Sequence, residues 1–238
     1  MSFNLQEIFQ EILKCYTNTF DDTLESIYIY GSATTDDFHE KYSDVNVALI
    51  LKDISLKNLV KARDCIKMLR KKHVTAPLFL TKEYINNSLD SFPLEFLNVK
   101  TSHLLLTGED FFEELVITYE DIRLQAEREL KGKLLLLRAA LLENIDKKQI
   151  LGNVVVNSFT SLVPVLKGII FLRRSDIPKN ALEIITKAEE VTDIDLSSFY
   201  TALKIKNRAL KFNSEDFVLF FENYIATVDQ LAVYVDKL

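Results

Sequence analysis

The chain has no tryptophan and only five glycines, four prolines and two cysteines among its 238 residues. So little glycine and proline excludes collagen-like, low-complexity and linker-rich chains and describes an ordered protein with long elements. Cys15 and Cys65 lie far apart on segments that read as helices, so neither a disulfide framework nor a zinc site is expected. Histidine is as scarce, and His39, His73 and His103 have no metal-ligand spacing. An excess of positive charge is also missing. The net charge of −6 excludes a broad nucleic-acid surface and leaves room only for a local basic patch. The apolar run "SLVPVLKGIIFL" is interrupted by Lys167 and reads as too short to span a bilayer. At the N-terminus, Phe3, Leu5, Ile8, Phe9, Ile12 and Leu13 recur at helical spacing, without the basic start, apolar run and cleavage site of a signal peptide. A chain with no membrane association and a cytoplasmic location is expected.

What is present falls into two parts. "SIYIYG" and "DVNVALIL" are β-rich runs separated by a polar loop, and "SLKNLVKARDCIKMLRKK" is an amphipathic helix with Ser55 as its expected N-cap. "VTAPLFL" reads as a short strand that Pro77 confines to an edge or an irregular position, and Thr81 is placed to cap "KEYINNSL". "LEFLNV" and "HLLL" read as two further strands, closed by the turn "TGED". From about Tyr119 the pattern becomes helical: a long helix to Asn144, a second broken or kinked at Pro164, a third starting at Pro178, a fourth over "LSSFYTALKIKNRAL", and a last one with a stripe from Phe217 to Val235. The division expected is 1–117 for a small α/β domain and 118–238 for a helical bundle.

One constellation stands out. Asp44 and Asn46 are two apart in an apolar run, so on a strand they project from one face while Val45 and Val47 point the other way. Two polar groups on one face of a short apolar strand cost free energy unless something binds them. The preceding strand ends directly in Gly31-Ser32, where a glycine can turn sharply and backbone N–H groups with a hydroxyl can receive phosphate oxygens.

A Gly-Ser turn, a loop, and then "SDVN" on the next strand resembles the polymerase-β-type nucleotidyltransferase superfamily. The layout of a small sheet followed by a helical bundle is similar to that of aminoglycoside nucleotidyltransferases. Runs such as "APLFLTKEYINNSLDSFPLEFL" and "LLLTGED" resemble bacterial nucleotidyltransferase-domain proteins of unassigned activity. The resemblance implies an α+β fold, a minimal nucleotidyltransferase mixed sheet with flanking helices followed by an all-α bundle. It also implies transfer of a nucleoside monophosphate from a nucleoside triphosphate to a hydroxyl acceptor, bound in a cleft between the domains. Gly31 and Ser32 match the phosphate turn, Asp44 the first metal carboxylate and Asn46 the second, with Mg²⁺ as the ion. Asn46 departs from the pattern, since an amide brings no charge to a cation that prefers carboxylates. The third carboxylate has no counterpart in "VTAPLFL", and Glu95 in "FPLEFL" is the nearest substitute.

Two readings follow: an active nucleotidyltransferase, or a degenerate binding or protein-interaction module that kept the fold and lost its metals. Asp36 and Asp37 stand where negative charge opposes a triphosphate, unless they point to solvent or help hold a metal. Arg123, Arg128 and Lys131 read as a solvated helix face laced with ion pairs, with phosphate recognition as the alternative. No histidine follows His103, which removes the ribonuclease activity found in some helical domains of this kind. The acceptor and the oligomeric state are not set by the sequence; a homodimer is compatible with it.

Overall fold

The computed structural model describes residues 4–40, 43–210 and 214–238, so Phe3 lies outside the described residues. The chain divides into two compact units, one of Met1–Asp90 with Asn98–Val116 and the other of Ser91–Leu97 with Ile117–Leu238. The fold is α+β, with a four-stranded mixed sheet and many helices.

In the first unit the strands are β1 (Leu24–Tyr30), β2 (Asn46–Leu51), β3 (Leu78–Leu80) and β4 (His103–Thr107), in the order β3-β2-β1-β4. β1 runs antiparallel to both β2 and β4, and β3 is a parallel edge strand on β2. That edge position agrees with Pro77, which cannot donate to a ladder. Helix α1 (Leu5–Phe20) starts at an Asn4 cap that accepts from Gln6 N–H, and it buries Ile8, Phe9, Ile12, Tyr16 and Phe20 on one face. These side chains share a core with Ile27, Ile29, Val47 and Leu49 of the sheet and with Cys65 and Leu69. The amphipathic stretch after β2 is not one regular helix: α2 (Leu56–Leu59) passes through a 3₁₀ turn into α3 (Arg63–Arg70). Ser55 does not cap α2 with its side chain; its hydroxyl donates to Asp53 instead. Thr81 does cap α4 (Lys82–Asn87), accepting from Tyr84 N–H.

Two expectations are overturned here. Cys15 and Cys65 form a disulfide, because α1 and α3 pack side by side and bring their Cα atoms to 6.0 Å, inside the bridging range. Sequence separation says nothing about that approach. "LEFLNV" is not a strand but part of helix α5 (Pro93–Thr101). Pro93 at the first helical position favours the helix, and the buried Leu94, Phe96, Leu97 and Val99 leave no clean period to read.

The second unit is helical: α6 (Tyr119–Asn144), α7 (Lys148–Leu172), α8 (Ala181–Thr192), α9 (Ser197–Lys206) and α10 (Ser214–Asp236). Ser91–Leu97, expected in the first domain, belongs to it: Gln125 of α6 accepts from Leu94 N–H and donates to Glu95, and Leu94 packs against Gly168 of α7. α7 continues through Pro164, and its 25 residues are long and apolar enough to cross a bilayer, contrary to the expectation of too short a run. One face of it, with Leu151, Val155, Phe159, Leu162, Leu166 and Ile170, is instead buried in the protein. α8 starts three residues after Pro178, where Asn180 supplies an N-cap oxygen to Glu183 N–H. The stripe expected on α10 is buried at Phe217, Phe221, Tyr224, Val228, Leu231 and Val235.

Candidate functional site

The site is assembled by three strands. Tyr30, the last residue of β1, pairs with Asn46 of β2 on one side and His103 of β4 on the other. Gly31 follows at once with φ of +76°, a left-handed conformation that a residue with a Cβ adopts only at a cost. Its N–H donates to Ser102 C=O, and the chain winds into a 3₁₀ turn over Gly31–Thr34. Asn46 lies directly against this turn: a Cβ built on Gly31 would stand 3.1 Å from Asn46 Nδ2. The structure therefore brings together the Gly-Ser turn and the strand residue that the sequence singled out. The Ser32 hydroxyl has no hydrogen-bond partner among the described residues, so it is available to a ligand.

Asp44 is placed just ahead of the strand rather than in it. β2 begins at Asn46, and Val45 makes an isolated parallel bridge to Val74. The turn after α3 supplies the neighbours: Val45 N–H donates to His73 C=O, Thr75 N–H donates to Val45 C=O, and Thr75 Oγ1 stands 3.4 Å from Asn46 Oδ1. His73 Nδ1 lies 3.8 Å from Asp44 Oδ1, with the two side chains 57% and 62% exposed. A contact so exposed is screened and contributes little. Asp44, Arg70, His73 and Thr75 line one pocket of about 390 Å³ with Ile66, Val74 and Ala76. Arg70, His73 and Thr75 were not picked out from the sequence. The signal available was weak: a parallel partner for β2 had to follow α3, which places "HVTAP" beside Asp44.

The remaining expected residues divide. Asp36 and Asp37 are exposed on the loop after the turn. His39 closes the same loop through its backbone, its N–H donating to Ser43 Oγ and its C=O accepting from Ser43 N–H. Glu95 is on α5 in the helical unit, and its carboxylate accepts from Gln125 Nε2 at 2.8 Å. Arg123 and Lys131 pair with Glu127, and Lys131 also with Asp236, which is the ion-paired helix face. The positions on β3 that share the Asn46 face are Leu78 and Leu80, paired with Ala48 and Ile50 and both apolar.

These donors do not fit a pair of Mg²⁺ ions. Asp44 lies ahead of β2 in the pocket with Arg70 and His73, Asn46 offers a neutral oxygen, and the β3 positions on the Asn46 face, Leu78 and Leu80, are apolar. Among the described residues no group of three or more His, Cys, Asp and Glu side chains is placed to hold a metal. One hard cation that keeps most of its water and phosphate ligands needs only one or two protein oxygens, and Asp44 with Asn46 Oδ1 could provide those.

No protein-family model matches the chain, and no curated protein matches it by sequence. A solved structure does: a spectinomycin adenyltransferase from Enterococcus faecialis with ATP and spectinomycin, at 13% identity and a TM-score of 0.58. The match covers 98% of this chain and 100% of that one. The chain thus has a nucleotidyltransferase-like fold over nearly its whole length.

Proposed function

We propose that the chain binds a nucleoside triphosphate at the Gly31-Ser32 turn, with one Mg²⁺ met by Asp44 and the Asn46 side-chain oxygen. The observation that carries this reading is the contact of the Gly-Ser turn with Asn46 at the head of β2. Ser32 Oγ and the backbone of the 3₁₀ turn would hold phosphate oxygens, and the positive φ at Gly31 is what aims that turn. Bound Mg²⁺ would neutralise the triphosphate. The chain's own residues orient it: Thr75 steadies Asn46, and the backbone pairing of Val45 with His73 and Thr75 fixes the approach of Asp44. The activity this supports is transfer of a nucleoside monophosphate to a hydroxyl acceptor. The likeness to an adenyltransferase solved with ATP and a small acceptor supports the same class of ligands. A cytoplasmic location goes with it, since that is where nucleoside triphosphates are abundant. Glu95 is given a structural part in the α5–α6 contact and none in the chemistry.

The test is calorimetric titration with ATP, GTP, CTP and UTP in Mg²⁺, followed by labelled-nucleotide transfer. Wild type is expected to bind one of them, and Asp44→Ala to weaken it at least tenfold. Equal binding by both proteins removes the metal role of Asp44.

A second reading has its own support. The resemblance implies acids at Asn46 and on β3, where this chain has an amide and only Leu78, Phe79 and Leu80, so a binding module without catalysis also fits these positions. Restoring charge separates the two: Asn46→Asp leaves a non-catalytic module inert, whereas in a working site it raises transfer. No Mg²⁺-dependent nucleotide binding by wild type, with no gain from Asn46→Asp, selects the module; tight Mg²⁺–nucleotide binding removes it.

A further inference from the structure

The disulfide joins α1 to the element that carries the site's flank. Cys15 lies on α1 and Cys65 on α3. Past Cys65, α3 ends in a tight turn where Lys72 N–H and Val74 N–H both donate to Leu69 C=O, and His73 has a φ of +61°. That turn leads straight into the pairing of His73 and Thr75 with Val45 and the approach of Thr75 to Asn46. A displacement of α3 is therefore passed through about ten residues of hydrogen-bonded chain to Asp44 and Asn46. Besides the shared apolar core, a second tie between α1 and this turn is the Lys72–Glu11 ion pair at 2.6 Å, with both side chains about 40% exposed. A surface pair of that kind is a weak tether. The disulfide is the strong one.

It is also reachable. Cys65 is 7% exposed, but Cys15 lines an open groove of about 420 Å³ with Glu11, Lys14, Asn18, Met68 and Lys72. Thr19 Oγ1 stands 3.3 Å from Cys65 Sγ while its hydroxyl donates to Cys15 C=O at 2.8 Å, so a thiolate formed at Cys65 gains that proton only if the hydroxyl turns away from the carbonyl. Disulfides in reducing compartments are for the most part transient and redox-sensing rather than structural.

We propose that Cys15–Cys65 is a reversible redox site whose exchange partner is a dithiol, and that its state sets the order of residues 71–76 and so of Asp44 and Asn46. A thiolate of the dithiol attacks Cys15 Sγ from the groove, the bond to Cys65 Sγ breaks, and Cys65 leaves as a thiolate beside Thr19. The second thiol of the partner then resolves the mixed disulfide. Two electrons pass to the protein, Cys15 and Cys65 take up two protons, and the partner is left as its own disulfide. The reducing compartment rests on the proposed function, whereas the bond, its groove and its path to Val45 do not, so the two readings fail separately.

The experiment uses the full chain without nucleotide, oxidised with glutathione disulfide and then reduced with dithiothreitol. Iodoacetamide labelling with mass spectrometry counts the thiols, and hydrogen exchange follows the amides. Oxidation is expected to protect both cysteines. Reduction should raise exchange at Val45, Val74 and Thr75 at least fivefold, leave Ile27 to Ile29 of β1 unchanged, and reverse on reoxidation. The Cys15→Ser variant should match the reduced protein and ignore dithiothreitol. Two labelled cysteines after oxidation overturn the proposal. So does unchanged exchange at those amides in the reduced protein, or a rise spread equally over β1.

Discussion

At the scale of single residues, two glycines show what the backbone requires. Gly31 has φ of +76° and Asn46 Nδ2 at 3.1 Å from where a Cβ would lie. Gly31→Ala carries a left-handed penalty of roughly 1–2 kcal/mol and pushes the Asn46 amide by a few tenths of an ångström. For a chain of this size that predicts a fall in melting temperature of about 2–8 °C by calorimetry. An unchanged midpoint would show that the turn is not held in this conformation. Gly108 is less forgiving, with φ of +94° and a Cβ that would run into the Glu25 carbonyl and the Ser26 backbone. Backbone cannot step aside as a side-chain tip can, so Gly108→Ala is expected to lose about 3 kcal/mol or more in urea denaturation. A smaller loss than that of Gly31→Ala would contradict this packing. Both glycines were visible in the sequence, Gly31 as a turn after a strand and Gly108 within "TGED"; the steric reason at Gly108 comes from a contact more than eighty residues away.

At the scale of elements, α5 is the instructive case. Its Leu94 N–H, at a helix start that needs an acceptor, is met by the side chain of Gln125 at 2.8 Å, and Gln125 itself is only 4% exposed. Gln125→Ala leaves that N–H and the Glu95 carboxylate without this partner, a loss of about 1–3 kcal/mol. Gln125→Glu keeps the acceptor for Leu94 but sets a second carboxylate against Glu95, so it should recover little of the stability at neutral pH. Full recovery by Gln125→Glu in thermal melts would disprove the Glu95 contact. Elements with a clean period or a local cap were legible: α1, α4, α6, β1, β2 and the stripe of α10. α5 was not, because apolar residues at Leu94, Phe96, Leu97 and Val99 satisfy a strand and a helix alike. The start of α8 was missed for a related reason, since Asn180 outcompetes Pro178 by supplying an oxygen to Glu183 N–H.

At the scale of the whole molecule, burial sets an alkaline limit. Tyr16, Tyr28, Tyr30 and Tyr224 have phenols raised above the ordinary 10.0, in each case first by burial. The folded state thus favours the protonated phenol, and the stability this provides is full below about pH 10 and lost as pH rises toward the folded values. Absorbance at 295 nm should show these tyrosines ionising only as the far-ultraviolet dichroism collapses. All nine tyrosines titrating together near pH 10 with the fold intact would contradict their burial. The sequence by itself indicated an α+β fold, a helical second part and a Gly-Ser turn after β1 with Asn46 on the next strand, because period, caps and turn chemistry act over a few neighbouring residues. Only the tertiary structure decided that Cys15 meets Cys65, that Ser91–Leu97 packs with the helices, and that Arg70, His73 and Thr75 flank Asp44 while Leu78 faces Asn46's side of the sheet. Those are facts of packing and strand order, which bring together residues that no local pattern relates.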